Sequence, residues 1–158
     1  MIQSIDSHKV KSLKLFLLIL CITCFVVSLF LLPFTIFGDN AKPWPIGLWC
    51  FLFGWLTVGK VGGISWLANP LLILSWFMFK RNIKVAIGLS FASTIFCSSF
   101  LFFDEVVINE AGLSGKIAST GIGYYFWLAS SISTFASTII ILIFQNKQPF
   151  IHPHKLDS

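Results

Sequence analysis

The sequence predicts an all-α integral membrane protein, a four-helix bundle with an interfacial or re-entrant helix between spans one and two. Three observations predict it. Of the 158 residues, 56% are hydrophobic and only 11% charged, against about 25% Asp, Glu, Lys and Arg in soluble domains. So few charges cannot cover the surface of a soluble chain of this size, so lipid must solvate much of it. Long apolar runs, uncharged in their interiors, recur along the chain. The basic residues stand in short clusters at the ends of those runs, as membrane topology signals do. That placement assigns the net charge of +5 to topology and argues against a nucleic-acid partner.

A crossing helix needs about 20 predominantly apolar residues, and residues 15–37, 83–103 and 121–144 meet this as spans one, three and four. Span one follows a basic leader (Lys9, Lys11, Lys14), but its 23 residues exceed the h-region of a signal peptide, about 7–15. Gly38-Asp39-Asn40-Ala41-Lys42-Pro43, which follows it, carries no small-x-small cleavage pattern, so a retained anchor is expected.

Residues 45–80 are too long for one span and too short for two. Val58-Gly59-Lys60-Val61-Gly62-Gly63 divides them, and each glycine in a helix interior costs about 1 kcal/mol relative to Ala. Span two is therefore expected over 64–80, and the aromatic-rich segment 46–57 as the interfacial or re-entrant helix. Pro33 and Pro70 fall inside spans one and two, where each is expected to kink its helix. The whole chain, 1–158, reads as a single membrane domain.

Charge sets the orientation. With the N-terminus inside, the cytoplasmic segments hold Lys9, Lys11, Lys14, Lys80, Arg81, Lys84, Lys147 and Lys155, eight of the 11 basic residues. The outer segments hold Lys42, Lys60 and Lys116 with Asp39, Asp104, Glu105 and Glu110. This is a positive-inside distribution, and both termini are expected in the cytoplasm. Trp44, Trp49, Trp55, Trp66 and Trp127 gather towards the outer interface, with Trp76 expected near the other. That asymmetry exceeds an aromatic belt and points to extra structure outside.

Little in the chain carries chemistry. Cys21-Ile22-Thr23-Cys24 is formally C-x-x-C, as in quinone-reducing membrane enzymes that make disulfides. Here it lies in the inner half of a span, without a second pair, where a thiolate is disfavoured. Cys97 also lies in an apolar run and only Cys50 near the outer surface, so no disulfide framework is expected. His8, His152 and His154 lie in polar tails without a ligand cluster to complete a metal site. There is no G-x-S-x-G, H-E-x-x-H or phosphate loop. A non-enzymatic protein without cofactor or metal is expected.

Small residues mark packing faces instead. Ala86 and Ser90, Gly88 and Ala92, and the series Ala129, Ser133, Ser137 would let spans three and four approach closely, within one chain or between chains. At the outer face, Asn69 stands beside Pro70, and an Asn in the hydrocarbon region seeks a partner. Lys60 is expected either to pair with Asp104 or Glu105 or to snorkel to water. Trp55, Lys60, Trp66, Asn69, Asp104, Glu105, Tyr124 and Tyr125 form the candidate outer polar and aromatic site.

Three stretches carry a resemblance: Phe53-Gly54-Trp55-Leu56; Ile64-Ser65-Trp66-Leu67-Ala68-Asn69-Pro70-Leu71-Leu72; and Gly121-Ile122-Gly123-Tyr124-Tyr125-Phe126-Trp127. Over roughly residues 47–128 the chain resembles small uncharacterised four-span proteins of bacteria. The resemblance implies a bacterial inner-membrane location and the four-span layout, and no activity. Immunity proteins against pore-forming bacteriocins share the size, charge and span number, without a shared motif. The negative chemistry and the aromatic outer cap together predict a binding role: a membrane or secreted protein held at the outer face, as an immunity or accessory protein would. The alternative is a homo-oligomeric small-solute channel or transporter, with Gly59–Gly63 and Asn69-Pro70 lining the path.

Overall fold

The computed structural model describes residues 2–38, 46–107 and 112–146, with the backbone alone for 2–9. Asp39, Lys42, Trp44, Glu110, Lys147, His152, His154 and Lys155 lie outside the described residues or their side chains, as does the side chain of His8. The chain is mostly helical, in the order α1 (Ile2–Phe30), β1 (Phe34–Ile36), α2 (Gly47–Phe53), α3 (Ala68–Arg81), α4 (Ile83–Ser99), β2 (Glu105–Val107), β3 (Ser114–Thr120) and α5 (Ile122–Asn146). Short 3-10 segments at Gly54–Thr57, Gly63–Leu67 and Phe100–Phe102 join or extend them.

Among the described residues, three helices are long and apolar enough to cross a membrane: Val10–Phe30, Ile83–Phe102 and Ile122–Asn146. The second expected span is different. Its α-helical part, α3, has 14 residues, a length of about 21 Å at 1.5 Å per residue, short of the hydrocarbon core of about 30 Å. The Gly63–Leu67 3-10 segment runs directly into it. Thr57 ends the aromatic helix segment, and Gly59 and Gly62 adopt positive φ of 95° and 75° in the turn that follows. The expected break at the glycines is therefore where the chain turns.

The expected all-α architecture needs a correction: a three-stranded antiparallel sheet, ordered β1-β3-β2, sits at one end of the bundle. Span one stops at Phe30 rather than Phe37, because Pro33 cannot donate to the helical ladder and the residues after it pair as a strand. Phe34, Thr35 and Ile36 oppose Thr120, Ser119 and Ile117, with a bulge between Thr35 and Ile36. Pro33 therefore ends a helix and does not kink one. Pro70 is the third residue of α3, where the Gly63–Leu67 3-10 segment passes into the α-helix, so it coincides with a change of helix type.

The end of α1 is closed by glycines. The carbonyls of Leu31, Leu32 and Pro33, just beyond the helix, accept from amides elsewhere in the chain. Gly47 N–H donates to Leu31 O at 3.0 Å and Gly123 N–H to Leu32 O at 2.9 Å. Gly121 N–H donates to Pro33 O at 2.8 Å. A Cβ on Gly123 would stand 2.8 Å from Leu32 O and 2.9 Å from Leu31 O, and one on Gly121 would collide with Leu32 O. The starts of α2 and α5 dock on the end of α1 because these positions lack side chains.

Below this capped end the helices pack α1 on α5, α5 on α4 and α4 on α3. The buried positions of α3 (Ala68, Leu72, Ser75, Phe79) and α4 (Ala86, Ser90, Ser93, Cys97) follow the same 4-3-4 spacing. That is the period of close, left-handed helix pairing. A single residue, Asn82, joins these two helices; its extended backbone ends α3, and its Oδ1 accepts from Val85 N–H at 3.3 Å to cap α4.

The interior mixes apolar side chains with many hydroxyls, and the exterior is apolar. Ser90, Ser93, Ser130, Ser131, Thr134, Ser137 and Thr138 are buried, while Phe16, Phe77, Phe91 and Ile95 face outward. Ser93 Oγ donates to Ala68 O at 2.9 Å and lies 3.0 Å from Ser131 Oγ, joining α3, α4 and α5. Ser130 Oγ donates to Cys21 O at 2.9 Å, tying α5 to α1. Close pairing of spans three and four was expected, and they are paired: of the small-residue pairs expected on span three, Ala86 and Ser90 are buried in the seam, whereas Gly88 meets open space. Trp76 is half-buried, edge-on to Phe25 and donating to Thr134 Oγ1 at 3.1 Å.

Candidate functional site

The capped end holds a half-open cavity of about 850 Å³, within the range of about 300–1,000 Å³ typical of small-ligand sites. Its walls come from the end of α1, from α2 and the Gly54–Thr57 segment, from the Lys60–Gly63 turn, and from the facing ends of α3, α4 and α5.

Close backbone approaches hold the cap over this space. Trp66 packs so tightly on Gly54 that a Cβ there would collide with its indole, and Trp66 Nε1–H donates to Phe51 O at 2.8 Å. Gly63 lies against Thr57 so closely that a Cβ would overlap the Thr57 carbonyl. Gly47 lies against α1, where a Cβ would be 2.5 Å from Ser28 O. The wall is therefore preformed, with α2 pinned at both ends.

The floor is aromatic. Tyr124 is buried, its ring packed against Phe100 and Trp127, and its hydroxyl donates to Cys97 O at 3.2 Å. Phe34 packs on Phe100 from the side of the sheet. Neutral polar groups of the wall are mostly bonded within it: Ser28 Oγ to Phe25 O at 2.6 Å, Thr57 Oγ1 to Gly54 O at 2.6 Å, and Ser65 Oγ to Ser99 Oγ at 3.1 Å.

Asn69 is the exception. It is 6% exposed and lines the cavity, and its Oδ1 accepts from Trp127 Nε1–H at 2.9 Å. An indole nitrogen only donates, so this contact orients the Asn69 amide and makes the remaining atom the NH2 group. Among the described residues that NH2 has no acceptor. It is also not sealed in protein, since no fully buried side-chain nitrogen or oxygen lacks a partner. The open space it meets is the cavity.

Lys60 is the only ionisable Lys, Arg, Asp or Glu among the described lining residues. It is exposed, in the turn between the two 3-10 segments, with its Nζ beside Gly112. Neither carboxylate expected to pair with it does so among the described residues: Glu105 Oε2 accepts from Ser114 Oγ at 3.0 Å, and Asp104 is exposed.

Of the eight expected site residues, the fold brings Lys60, Trp66, Asn69 and Tyr124 to the cavity. The other four lie elsewhere on the capped end. Trp55 is 56% exposed, and Tyr125 is 53% exposed with its hydroxyl 2.9 Å from Thr120 Oγ1. Asp104 and Glu105 lead into β2, where Asp104 O accepts from Ile117 N–H at 2.8 Å. Trp127, Phe25, Phe34 and Phe100 also line the cavity. Of these only Trp127 had a signal in the sequence, as a hydrogen-bonding indole grouped with Tyr124 and Tyr125 towards the outer end of the fourth span. No three His, Cys, Asp or Glu side chains among the described residues come together to hold a metal.

No protein family, curated protein or solved structure matches this chain. The functional reading therefore rests on the cavity.

Proposed function

We propose that this is a four-span bacterial inner-membrane protein without enzymatic activity, whose outer face binds an apolar group of a membrane-borne partner. The observation that carries the reading is the preformed cavity at the capped end, walled by aromatic rings and opening beside a single lysine. A cavity of this size in lipid surroundings fills with something apolar, because water gains too few partners from such a wall.

The fourth crossing in this reading is the Gly63–Leu67 segment continued by α3. At about 2.0 Å per residue the 3-10 segment adds about 10 Å, which brings the total to about 31 Å. Connectivity places Lys80, Arg81 and Lys84 at the same end as the start of α1, and Asp104 and Glu105 at the capped end. The positive-inside rule then puts both termini in the cytoplasm and the cavity on the outer side.

Binding is favoured over conduction by the state of the interior. The hydroxyls beneath the cavity bond to one another and to helix carbonyls, which leaves few groups to solvate a passing solute. The test is native mass spectrometry of the purified protein, with Leu29→Trp as the variant that fills the cavity from the α1 wall. A bound apolar molecule in the wild type that Leu29→Trp loses, with the protein still folded, supports the reading. An empty wild-type protein that takes up no apolar probe would sink it.

A further inference from the structure

Resting on that reading, we propose that the cavity's occupant is an anionic phospholipid, with its phosphate at Lys60 and an acyl-ester carbonyl at the Asn69 amide. Two independent observations meet in this ligand. Lys60 lines the cavity and is exposed, with its Nζ beside Gly112 at the rim and without an ion-pair partner among the described residues. Asn69, buried among rings, offers an NH2 donor that the protein leaves without an acceptor, because Trp127 has claimed its oxygen.

The donor at Asn69 calls for an uncharged oxygen set among apolar atoms. A water could supply an oxygen, but it would find few other partners among the surrounding rings. An ester carbonyl supplies one at the head of an acyl chain. The lysine calls for an anion nearer the surface, and charge-assisted bonds to phosphate are among the stronger ones available to it. The turn that carries Lys60 adds to this. Among the described residues the amides of Gly59, Val61 and Gly62 have no intramolecular acceptor, and Gly62 is buried and lines the cavity. Phosphate, ester and chain occur in that order in one class of membrane molecule. A neutral quinone would satisfy Asn69 and leave the lysine unused; a free phosphate would satisfy Lys60 and leave the cavity empty.

The experiment measures binding of dioleoyl phosphatidylglycerol and dioleoyl phosphatidylcholine to the purified full chain by native mass spectrometry, for the wild type, Lys60→Gln and Asn69→Asp. The wild type is expected to prefer the anionic lipid by about tenfold, the scale of one charge-assisted hydrogen bond. Lys60→Gln, at an exposed position, is expected to reduce that preference to near parity. Asn69→Asp keeps an acceptor for Trp127 while removing the donor, and is expected to weaken both lipids. Glycerol phosphate without chains is expected to displace neither. Equal affinity for the two lipids in the wild type, or displacement by glycerol phosphate, would overturn the anionic-lipid assignment while leaving the cavity reading intact. Retention of a neutral quinone in place of phospholipid would do the same. Failure of every apolar probe to bind would overturn both.

Discussion

Trp127 Nε1–H donates to Asn69 Oδ1 across 2.9 Å, and this one contact joins the start of α3 to α5 and sets which atom of the asparagine faces the cavity. Both side chains lie in helical segments 58 residues apart. Asn69 is buried and both residues line the cavity, so the bond serves stability and site geometry together.

Asn69→Leu leaves the indole donor unsatisfied and is expected to destabilise the protein by about 1–3 kcal/mol. Trp127→Phe removes the donor and leaves the amide oxygen without it. The double variant is expected to cost less than the sum of the two, by about 0.5–2 kcal/mol, as for residues in direct contact. Unfolding in a mild detergent measures the cycle, and strict additivity would show that the bond contributes nothing.

Gly54→Ala places a methyl group into the Trp66 indole. The ring must leave Phe51 O or the cap must lift, at an expected cost of about 1–3 kcal/mol. Gly88→Ala, on the same scale of change, meets nothing within 4 Å, and is expected to be neutral or slightly stabilising because alanine is the better helix former. Thermal unfolding of the pair provides the comparison; equal effects would contradict the tight approach at Gly54.

Pro70→Ala is expected to change stability by less than about 1 kcal/mol, because the proline stands where the 3-10 segment passes into α3 and the hydrogen-bond pattern already changes. A straightened helix or a gain well above that figure would restore the kink expected from the sequence. Circular dichroism together with unfolding distinguishes the outcomes.

Ser131→Ala removes a hydroxyl shared between Ser93 and Thr94. Hydrogen bonds between helices in lipid average about 0.6 kcal/mol, so a small loss is expected. Ser131→Leu adds volume where α4 and α5 meet and is expected to cost several times more, about 2–3 kcal/mol. If the two variants behaved alike, the seam would be held by polarity rather than by close packing.

Orientation can be read with an impermeant maleimide on intact cells, in a background without native cysteines. Gly38→Cys, at an open position of the capped end, is expected to label from outside. Lys84→Cys is expected to label only after permeabilisation. The reverse pattern would invert the topology and move the cavity to the cytoplasmic side.

The sequence was legible where solvent chooses the residue. Lipid demands apolar residues around every long helix, so the apolar runs, their basic ends and the break at Gly59–Gly63 could be read directly, and α4 and α5 lie within a few residues of their expected bounds. The face of each helix was not legible in the same way. A helix with lipid on one side and neighbours on the other is apolar nearly all round, and only the small and hydroxylic residues mark the interior. Gly88 and Ser90 look alike in such a stripe, yet one faces outward and the other is buried.

By itself, the sequence determined a mostly helical membrane protein with a glycine-broken, aromatic segment between its first and second apolar runs, because composition, length and charge placement answer to the bilayer alone. Only the tertiary structure decided that residues 34–36, 105–107 and 114–120 meet as a sheet, and that four of the eight expected site residues share a cavity with Trp127. It also decided that Asn69 turns its donor inward. These depend on pairings between distant segments, on glycine amides meeting the end of α1 and an indole meeting an amide, and no local pattern in one segment specifies its partner in another.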